Sequence, residues 1–350
     1  MKLVKRAVSL LLATAMTMTV FVGCAKEEPV VLDPNEVVMV VGETEVKMNI
    51  ANFFVRYNQS LMESIYEQYI GEYAWITEMK EGVTYEDNLK EALLEDLKKL
   101  FILNGHVADY DVTLTDAETK SIEAAAESFI SENKDKDAQE KVSGDKDTVI
   151  QYLKLYTLSE KLTKAMRDDV DANVSEAEAT QKRVRYYEIK KSVKSDDGSS
   201  GKMTDKEIKE AKKEAEEFLK GAKANGSMET YAKEQKENTK TLTFNANSTA
   251  LDKEVIQAAD ALGEKEFSEV IESENGIYVL QLESLFDEEA TETEKETILT
   301  QRQNDRYEEL LEKWTKDTKV TVHEEVWDKI SIQGLKIVYI EDPKEDKTEK

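Results

Sequence analysis

Apolar residues recur at three- and four-residue spacing through the first half of the chain, which is the period of an amphipathic helix. Thr115-Asp116-Ala117-Glu118 also forms a capping box, the pattern that opens a helix. The pattern predicts four helices, at 50–65, 86–104, 115–130 and 155–166. The run 37–48, interrupted by Gly42-Glu43, predicts a short extended pair, and the polar run 133–147 predicts a loop.

The pattern changes after Val184, where short strand-like runs alternate with helical ones. Val184–Ile189 predicts a first strand, and Asn275-Gly276 predicts a turn before a last strand at 277–282. The elements expected between them are a helix near 205–223, a second short helix, an extended segment at 241–244 and a helical turn near 252–262. This order within about a hundred residues predicts one small α+β domain.

Length and composition narrow the class of protein. The 350 residues suffice for two or three domains, and 40% hydrophobic with 35% charged residues indicates a soluble, helix-rich chain. The net charge of −26 argues against binding nucleic acid or anionic lipid through the protein surface. The same charge is also explained as a device for solubility.

The N-terminus carries the features of an export signal. Basic residues precede an apolar run, Ala7–Val22, that is short for a membrane span. The run ends at Gly23-Cys24, which resembles a bacterial lipobox, although Phe21 stands where leucine is usual. Cys24 is the only cysteine, so we predict it as the lipid attachment site, with the mature protein on the extracytoplasmic face of the cell membrane. The alternative is an ordinary signal peptide with an incidental cysteine.

Three stretches of the second half resemble one known family. They are Leu251–Ala259, Ala261–Ser268 and Asn275–Leu280, and they resemble in order and spacing the parvulin-type peptidyl-prolyl isomerase domain of PrsA-like and SurA-like extracytoplasmic foldases. Residues 111–118, with the earlier Val-Gly-Glu turn, resemble the N-terminal chaperone domain of the same foldases. The resemblance implies an α+β protein: a helical N-terminal domain completed by a C-terminal helix, and a small parvulin-like domain.

The predicted boundaries follow from these patterns and from the resemblance. They are a lipoprotein signal peptide at 1–23, a tether at 24–36, a helical chaperone-like domain at 37–182, a parvulin-like domain at 183–286, a C-terminal helix and strands at 287–341 that pack back on the N-terminal domain, and a disordered tail at 342–350.

The resemblance also assigns candidate site residues. The family's two histidines fall on Glu188 and Tyr278, and the only histidines, His106 and His323, lie outside the domain. Tyr187, Glu188 and Tyr278 are therefore the candidate catalytic residues, as a substitute hydrogen-bonding set or as a structural one. The proline-binding cup that the resemblance implies consists of Phe244, Leu251 and Val255.

Three functions remain open from the sequence. The favoured one is a membrane-anchored folding factor that binds unfolded, newly exported proteins in an apolar groove, with weak or lost isomerase activity. The second is an active prolyl isomerase with an altered site. The third is a structural or solute-binding lipoprotein, although the sequence carries no cofactor fingerprint, phosphate loop or metal-ligand spacing. We expect no cofactor, no metal and no nucleic-acid partner.

Overall fold

The computed structural model describes residues 17–22, 32–70, 74–194, 200–333 and 335–340. Within them the helices are α1 Met48–Ile70, α2 Tyr85–Gly105, α3 Asp116–Glu132, α4 Lys136–Lys141, α5 Lys146–Asp168, α6 Glu176–Ala179, α7 Asp205–Asn225, α8 Met228–Gln235, α9 Lys253–Asp260, α10 Glu288–Asp317 and α11 Glu324–Trp327. The strands are β1 Thr17–Val22, β2 Val37–Val41, β3 Thr44–Lys47, β4 Glu78–Lys80, β5 Val83–Thr84, β6 Lys182–Lys190, β7 Ser192–Lys194, β8 Ser200–Lys202, β9 Lys240–Phe244, β10 Ile271–Glu272, β11 Gly276–Ser284, β12 Val320–Val322 and β13 Leu335–Ile340.

The chain forms two compact units. Unit 1 contains Met1–Asp169 together with Gln303–Lys350, and unit 2 contains Val170–Arg302. Both units combine helices with antiparallel strands, so the predicted α+β class is confirmed. No helix among the described residues has the length and the apolar run that crossing a membrane would require.

The core of unit 1 is built around the first half of α1. Phe53 is completely buried and meets the rings of Phe129 on α3 and Tyr152 on α5 edge to face, with centroids 5.7 and 5.3 Å apart. Such aromatic pairs add to the free energy gained by burying the rings. Thr84 and Thr115 begin α2 and α3 with complete capping boxes. The box at Thr115 is the one that the sequence predicts.

The C-terminal part of the chain completes this core. Strand β12 pairs with β2, which pairs with β3 across a turn where Gly42 has φ +61°, a conformation that favours glycine. Trp314 near the end of α10 and Trp327 in α11 are buried in the same cluster as Phe53. Segments far apart in the sequence therefore share one core, which confirms the fold implied by the family resemblance.

Unit 2 is a four-stranded antiparallel sheet in the order β10-β11-β6-β9. Side chains alternate between the two faces of β11, so Val279 packs toward α7 and α8 while Leu280 packs with α9. The sheet thus has a separate apolar cluster on each face. Helix α7 begins at a capping box of Thr204 and ends at Gly226, whose φ of +81° allows the chain to leave the helix.

Two segments differ from the sequence prediction or extend it. The predicted loop 133–147 contains α4, which forms because the Asp135 carboxylate accepts hydrogen bonds from the backbone N–H groups of residues 137 and 138. Strand β1 lies within the predicted signal peptide and pairs with β13. Cys24 and the predicted tail at 342–350 lie outside the described residues.

The edge strand β10 is fastened by the side chain of Glu272. Its carboxylate accepts a hydrogen bond from Lys191 Nζ at 2.7 Å and forms a salt bridge with Lys212 of α7. These two interactions lower the pKa of Glu272 from 4.5 to about 2, and the hydrogen bond from Lys191 makes the larger contribution. A carboxyl whose pKa is lower in the folded state stabilises the fold above its unfolded pKa, and this contribution is lost as the pH falls.

We therefore expect Glu272→Gln to lower the free energy of unfolding at neutral pH, with the deficit shrinking from about pH 4.5 and disappearing near pH 2. The deficit should be modest because the carboxylate is partly exposed to solvent. Urea denaturation of wild type and variant, followed by circular dichroism between pH 2 and 7, measures the difference. A deficit that stays constant over this range would contradict the assignment.

Candidate functional site

Two of the three candidate catalytic residues are brought together by the register of the sheet. Tyr278 on β11 lies directly opposite Glu188 on β6, and its hydroxyl donates a hydrogen bond to Glu188 Oε1 at 3.1 Å. Glu188 Oε2 accepts a second bond from Lys240 Nζ on β9 at 2.7 Å. Carboxylate, phenol and ammonium therefore form one group across three adjacent strands.

Tyr187 belongs to the opposite face of the sheet. Its ring stacks on Phe218 of α7 with centroids 4.0 Å apart, and its hydroxyl donates to Glu214 at 2.8 Å. Burial, with the hydrogen bond to Glu214, raises the pKa of Tyr187. The side chain of Tyr187 is thus a packing element of the α7 side and is separated by the sheet from Glu188 and Tyr278.

The electrostatics of the Glu188 group do not favour proton transfer near neutral pH. Burial, with the negative charge on Glu188, raises the pKa of Tyr278, so its phenol keeps its proton. The hydrogen bond to Glu188 raises the pKa of Lys240, so the ammonium keeps its charge. Lys240 balances the carboxylate, and the Tyr278 side chain is buried. Such a group can fix three strands to one another.

The three residues of the predicted cup share one apolar cluster. Phe244 is 1% exposed and Val255 is 0% exposed, and Leu251 is partly buried against the same cluster. The space between the sheet and α9 is filled by neighbouring side chains, namely Val184, Tyr186, Ile256, Ala259, Tyr278, Leu280 and Leu282. A proline ring would have to displace these side chains to reach Phe244 or Val255.

A polar contact at the start of α9 holds this helix over the sheet. Asp252 accepts hydrogen bonds from the backbone N–H of Asn275 at 3.1 Å and from its side-chain amide at 2.6 Å. Hydrogen bonds from Ser273 and Asn275 lower the pKa of Asp252, so it stays charged at neutral pH. The turn before β11 is therefore tied to α9, which helps to keep the cluster closed.

Gly276 contributes to the same closure. A Cβ at this position would lie 2.9 Å from the ring of Tyr278, so only glycine lets that ring fold against the turn. The sequence predicts a turn at Asn275-Gly276 but neither of its contacts, with Asp252 and with the Tyr278 ring. The contact with Asp252 joins residues 23 positions apart, for which the sequence offers no local signal.

Two clefts of unit 2 lie elsewhere. One of about 650 Å³ is lined by Arg183, Lys265, Phe286 and several carboxylates, and one of about 700 Å³ adjoins Arg183 and Thr243. Neither includes Phe244, Leu251 or Val255. Within the described ranges, no three His, Cys, Asp or Glu side chains converge in a way that would hold a metal ion.

Unit 1 carries a separate candidate site, an apolar stripe at the end of α1. Leu61, Ile65 and Tyr69 follow one another at four-residue spacing and are 40%, 48% and 80% exposed. Leu61 and Ile65 continue the apolar period from which the helix at 50–65 is predicted. The structure places them in solvent because the buried side of this half of α1 is occupied by polar and aromatic residues such as Gln59, Glu63 and Tyr66.

Comparison with known proteins supports the class of unit 2. The family model of the PPIC-type PPIASE domain matches residues 183–298, about a third of the chain. The predicted parvulin-type domain, of the kind found in PrsA-like foldases, is thereby confirmed. A search of curated proteins finds no match.

Solved structures with similarity to the chain include three folding factors. The foldase PrsA of Lactococcus lactis is 16% identical with a TM-score of 0.37, covering 85% of this chain and 100% of that chain. The peptidylprolyl isomerase PrsA of Bacillus cereus is 21% identical with a TM-score of 0.31, covering 73% and 96%. One of the SurA-like chaperones of Campylobacter jejuni is 10% identical with a TM-score of 0.29, covering 82% and 99%. All three TM-scores are low, so these similarities alone establish no function.

Proposed function

We propose that the protein is an extracytoplasmic folding factor that holds unfolded, newly exported chains, and that its parvulin-type domain has little or no isomerase activity. In this proposal a lipid on Cys24 attaches it to the cell membrane. The observation that carries the holding role is the exposed stripe Leu61, Ile65 and Tyr69. The buried state of Phe244 and Val255 supports the loss of isomerase activity.

The stripe has the properties of a surface for unfolded chains. The apolar surface that these three side chains expose on one helix face is costly to leave in water, since burial of apolar area is worth about 25 cal/mol per Å². A stripe along one helix has few shape constraints and suits an extended apolar segment of variable sequence. Ile76 and Met79, also exposed in unit 1, add to the apolar surface of this part of the chain.

The net charge of the protein favours basic over acidic segments among the unfolded chains that the stripe could bind. A net charge of −26 attracts basic chains over a distance of about one Debye length and repels acidic ones. The combination favours clients in which apolar stretches are flanked by lysine or arginine. The contribution to the rate of encounter should weaken as salt is added.

An aggregation assay tests the holding role. We expect the protein lacking residues 1–24 to suppress the aggregation of a denatured, basic client protein at stoichiometric ratio. Replacing Leu61, Ile65 and Tyr69 by serine should raise the concentration needed by about tenfold, because the apolar contact is lost. Light scattering during dilution from denaturant measures the effect.

The matched control removes exposed apolar groups elsewhere. Leu285→Ser and Phe286→Ser together alter two side chains of similar exposure, 45% and 41%, that belong to unit 2, whereas the stripe belongs to unit 1. This variant should behave as the wild type does. Equal suppression by the stripe variant would reject the stripe as the client site, and no suppression by the wild-type protein would reject the holding role.

The second candidate function is an active isomerase with an altered site, which the hydrogen bond between Tyr278 and Glu188 favours. Rotation about a prolyl bond faces a barrier of about 18–20 kcal/mol, and an enzyme must bind the twisted amide better than the planar forms. The closed cluster around Phe244 offers no such site. We therefore expect no acceleration of isomerisation in a proline-peptide assay, for the wild type or for Tyr278→Phe. Acceleration that Tyr278→Phe reduces would instead support the altered-site isomerase.

A further inference from the structure

Strand β13 pairs with a segment from the opposite end of the chain. All six residues of β1 are in antiparallel register with β13, from Thr17 opposite Ile340 to Val22 opposite Leu335. These two strands form a sheet of their own, and no third strand among the described residues extends it. Without β1, the edge of β13 would therefore present unpaired backbone N–H and C=O groups.

The chain at the start of β13 is held by side chains of α1 and α2. Gln59 of α1 donates a hydrogen bond to the backbone carbonyl of Leu335 at 2.6 Å, and Arg56 donates to that of Ser331 at 2.8 Å. Glu86 of α2 accepts from the backbone N–H of Ile332 at 2.6 Å. These three side chains are buried. They hold the chain where β13 begins through contacts in which β1 takes no part.

The apolar core holds the strand itself. Ile337, in the middle of β13, is completely buried in the cluster that also contains Phe53. An edge that is held in place before its partner arrives loses little entropy when a new strand is added. The edge of β13 is therefore preorganised for pairing.

The segment seated on this edge shows which chemistry the edge accepts. Thr17–Val22 reads Thr-Met-Thr-Val-Phe-Val, with no charge, no proline and no glycine, and four of its six residues, at positions 17, 19, 20 and 22, are the β-branched types Thr and Val. Backbone pairing of this kind is tolerant of sequence, since the hydrogen bonds come from the main chain. An extended, uncharged apolar segment of another polypeptide has the same properties.

We infer that β13 is a strand-addition site for extended, uncharged segments of unfolded chains, and that Thr17–Val22 occupies it in the uncleaved protein. This inference rests on the proposed holding role and on the predicted removal of residues 1–23. The edge of β13 would then become free to bind clients only after export, because cleavage ahead of Cys24 removes β1. The site uses backbone pairing at β13 and is different from the side-chain stripe on α1.

A competition experiment with the full chain tests the site. The probe is a fluorescent peptide with the sequence of residues 17–22 and flanking lysines for solubility. The full chain should bind it weakly, because the tethered β1 competes. Replacing Thr19 and Val20 by proline should open the edge, since one of two adjacent residues directs its N–H at β13. We expect the variant to bind the probe at least about tenfold more tightly in fluorescence polarisation.

Two controls make the result decisive. A probe carrying the same two prolines should not bind the opened chain, and Leu61→Ser with Ile65→Ser should leave probe binding unchanged. Equal binding by the full chain and its Thr19→Pro/Val20→Pro variant would overturn the inference, as would equal binding of both probes. Tight binding by the opened chain without suppression of aggregation would keep the strand-addition site and reject the holding role.

Discussion

Replacing Phe244 by alanine is expected to destabilise unit 2 by about 3–5 kcal/mol, because the ring is fully enclosed and its removal leaves a cavity. A cup residue in an open binding site would behave differently, with a small loss of stability and a large loss of peptide binding. All three tryptophans, Trp75, Trp314 and Trp327, lie in unit 1 and do not report on this change. Native-state hydrogen exchange of the β6 and β11 amides measures it directly.

Leu251→Ala is the matched control for that prediction. Leu251 belongs to the same predicted cup but is only partly buried, so its truncation should cost clearly less than the loss of the Phe244 ring. The exchange of amides in unit 1 should be unaffected by either change. Unchanged protection of β6 and β11 in the Phe244→Ala variant would show that the cluster is open.

The elements that the sequence predicts correctly are those signalled by residues close together in the chain. The helix that begins at Thr115 was predicted from its capping box, and the structure contains that box in full. The turn at Gly42 and the short strands beside it were also predicted from a signal within a few residues. Helix α4 was missed because its signal is a single N-cap aspartate, Asp135, within a polar run that has no apolar period.

The candidate site shows where local signals end. Tyr187 and Glu188 are adjacent in β6, so strand alternation alone places their side chains on opposite faces and excludes a shared site. The pairing of Glu188 with Tyr278 depends on strand register across 90 residues, which only the family resemblance suggested. Burial of Phe244 and exposure of Leu61 depend on how many neighbours the fold brings to each side chain. The helical or strand period does not contain that information.

Replacing Arg56 by methionine is expected to destabilise unit 1 by about 3–5 kcal/mol, the cost of breaking a buried charge group by removing one partner. Burial lowers the pKa of Arg56 to about 10, against the opposing effect of Glu86 and Glu63, so it is charged at neutral pH. Its guanidinium donates to Asn52, to Gln59 and to the Ser331 carbonyl. Urea denaturation followed by tryptophan fluorescence reads unit 1 selectively.

Two further variants test whether buried charge causes that loss. Adding Glu86→Gln to Arg56→Met should recover part of the stability, because one of the carboxylates left without its countercharge becomes neutral. Lys146→Met removes a solvent-exposed ion pair with Glu127 and should leave the unfolding midpoint where it is. If Arg56→Met alone left the midpoint unchanged, the network would not fasten residues 331–335 to α1. The preorganised edge of β13 would then lose its physical basis.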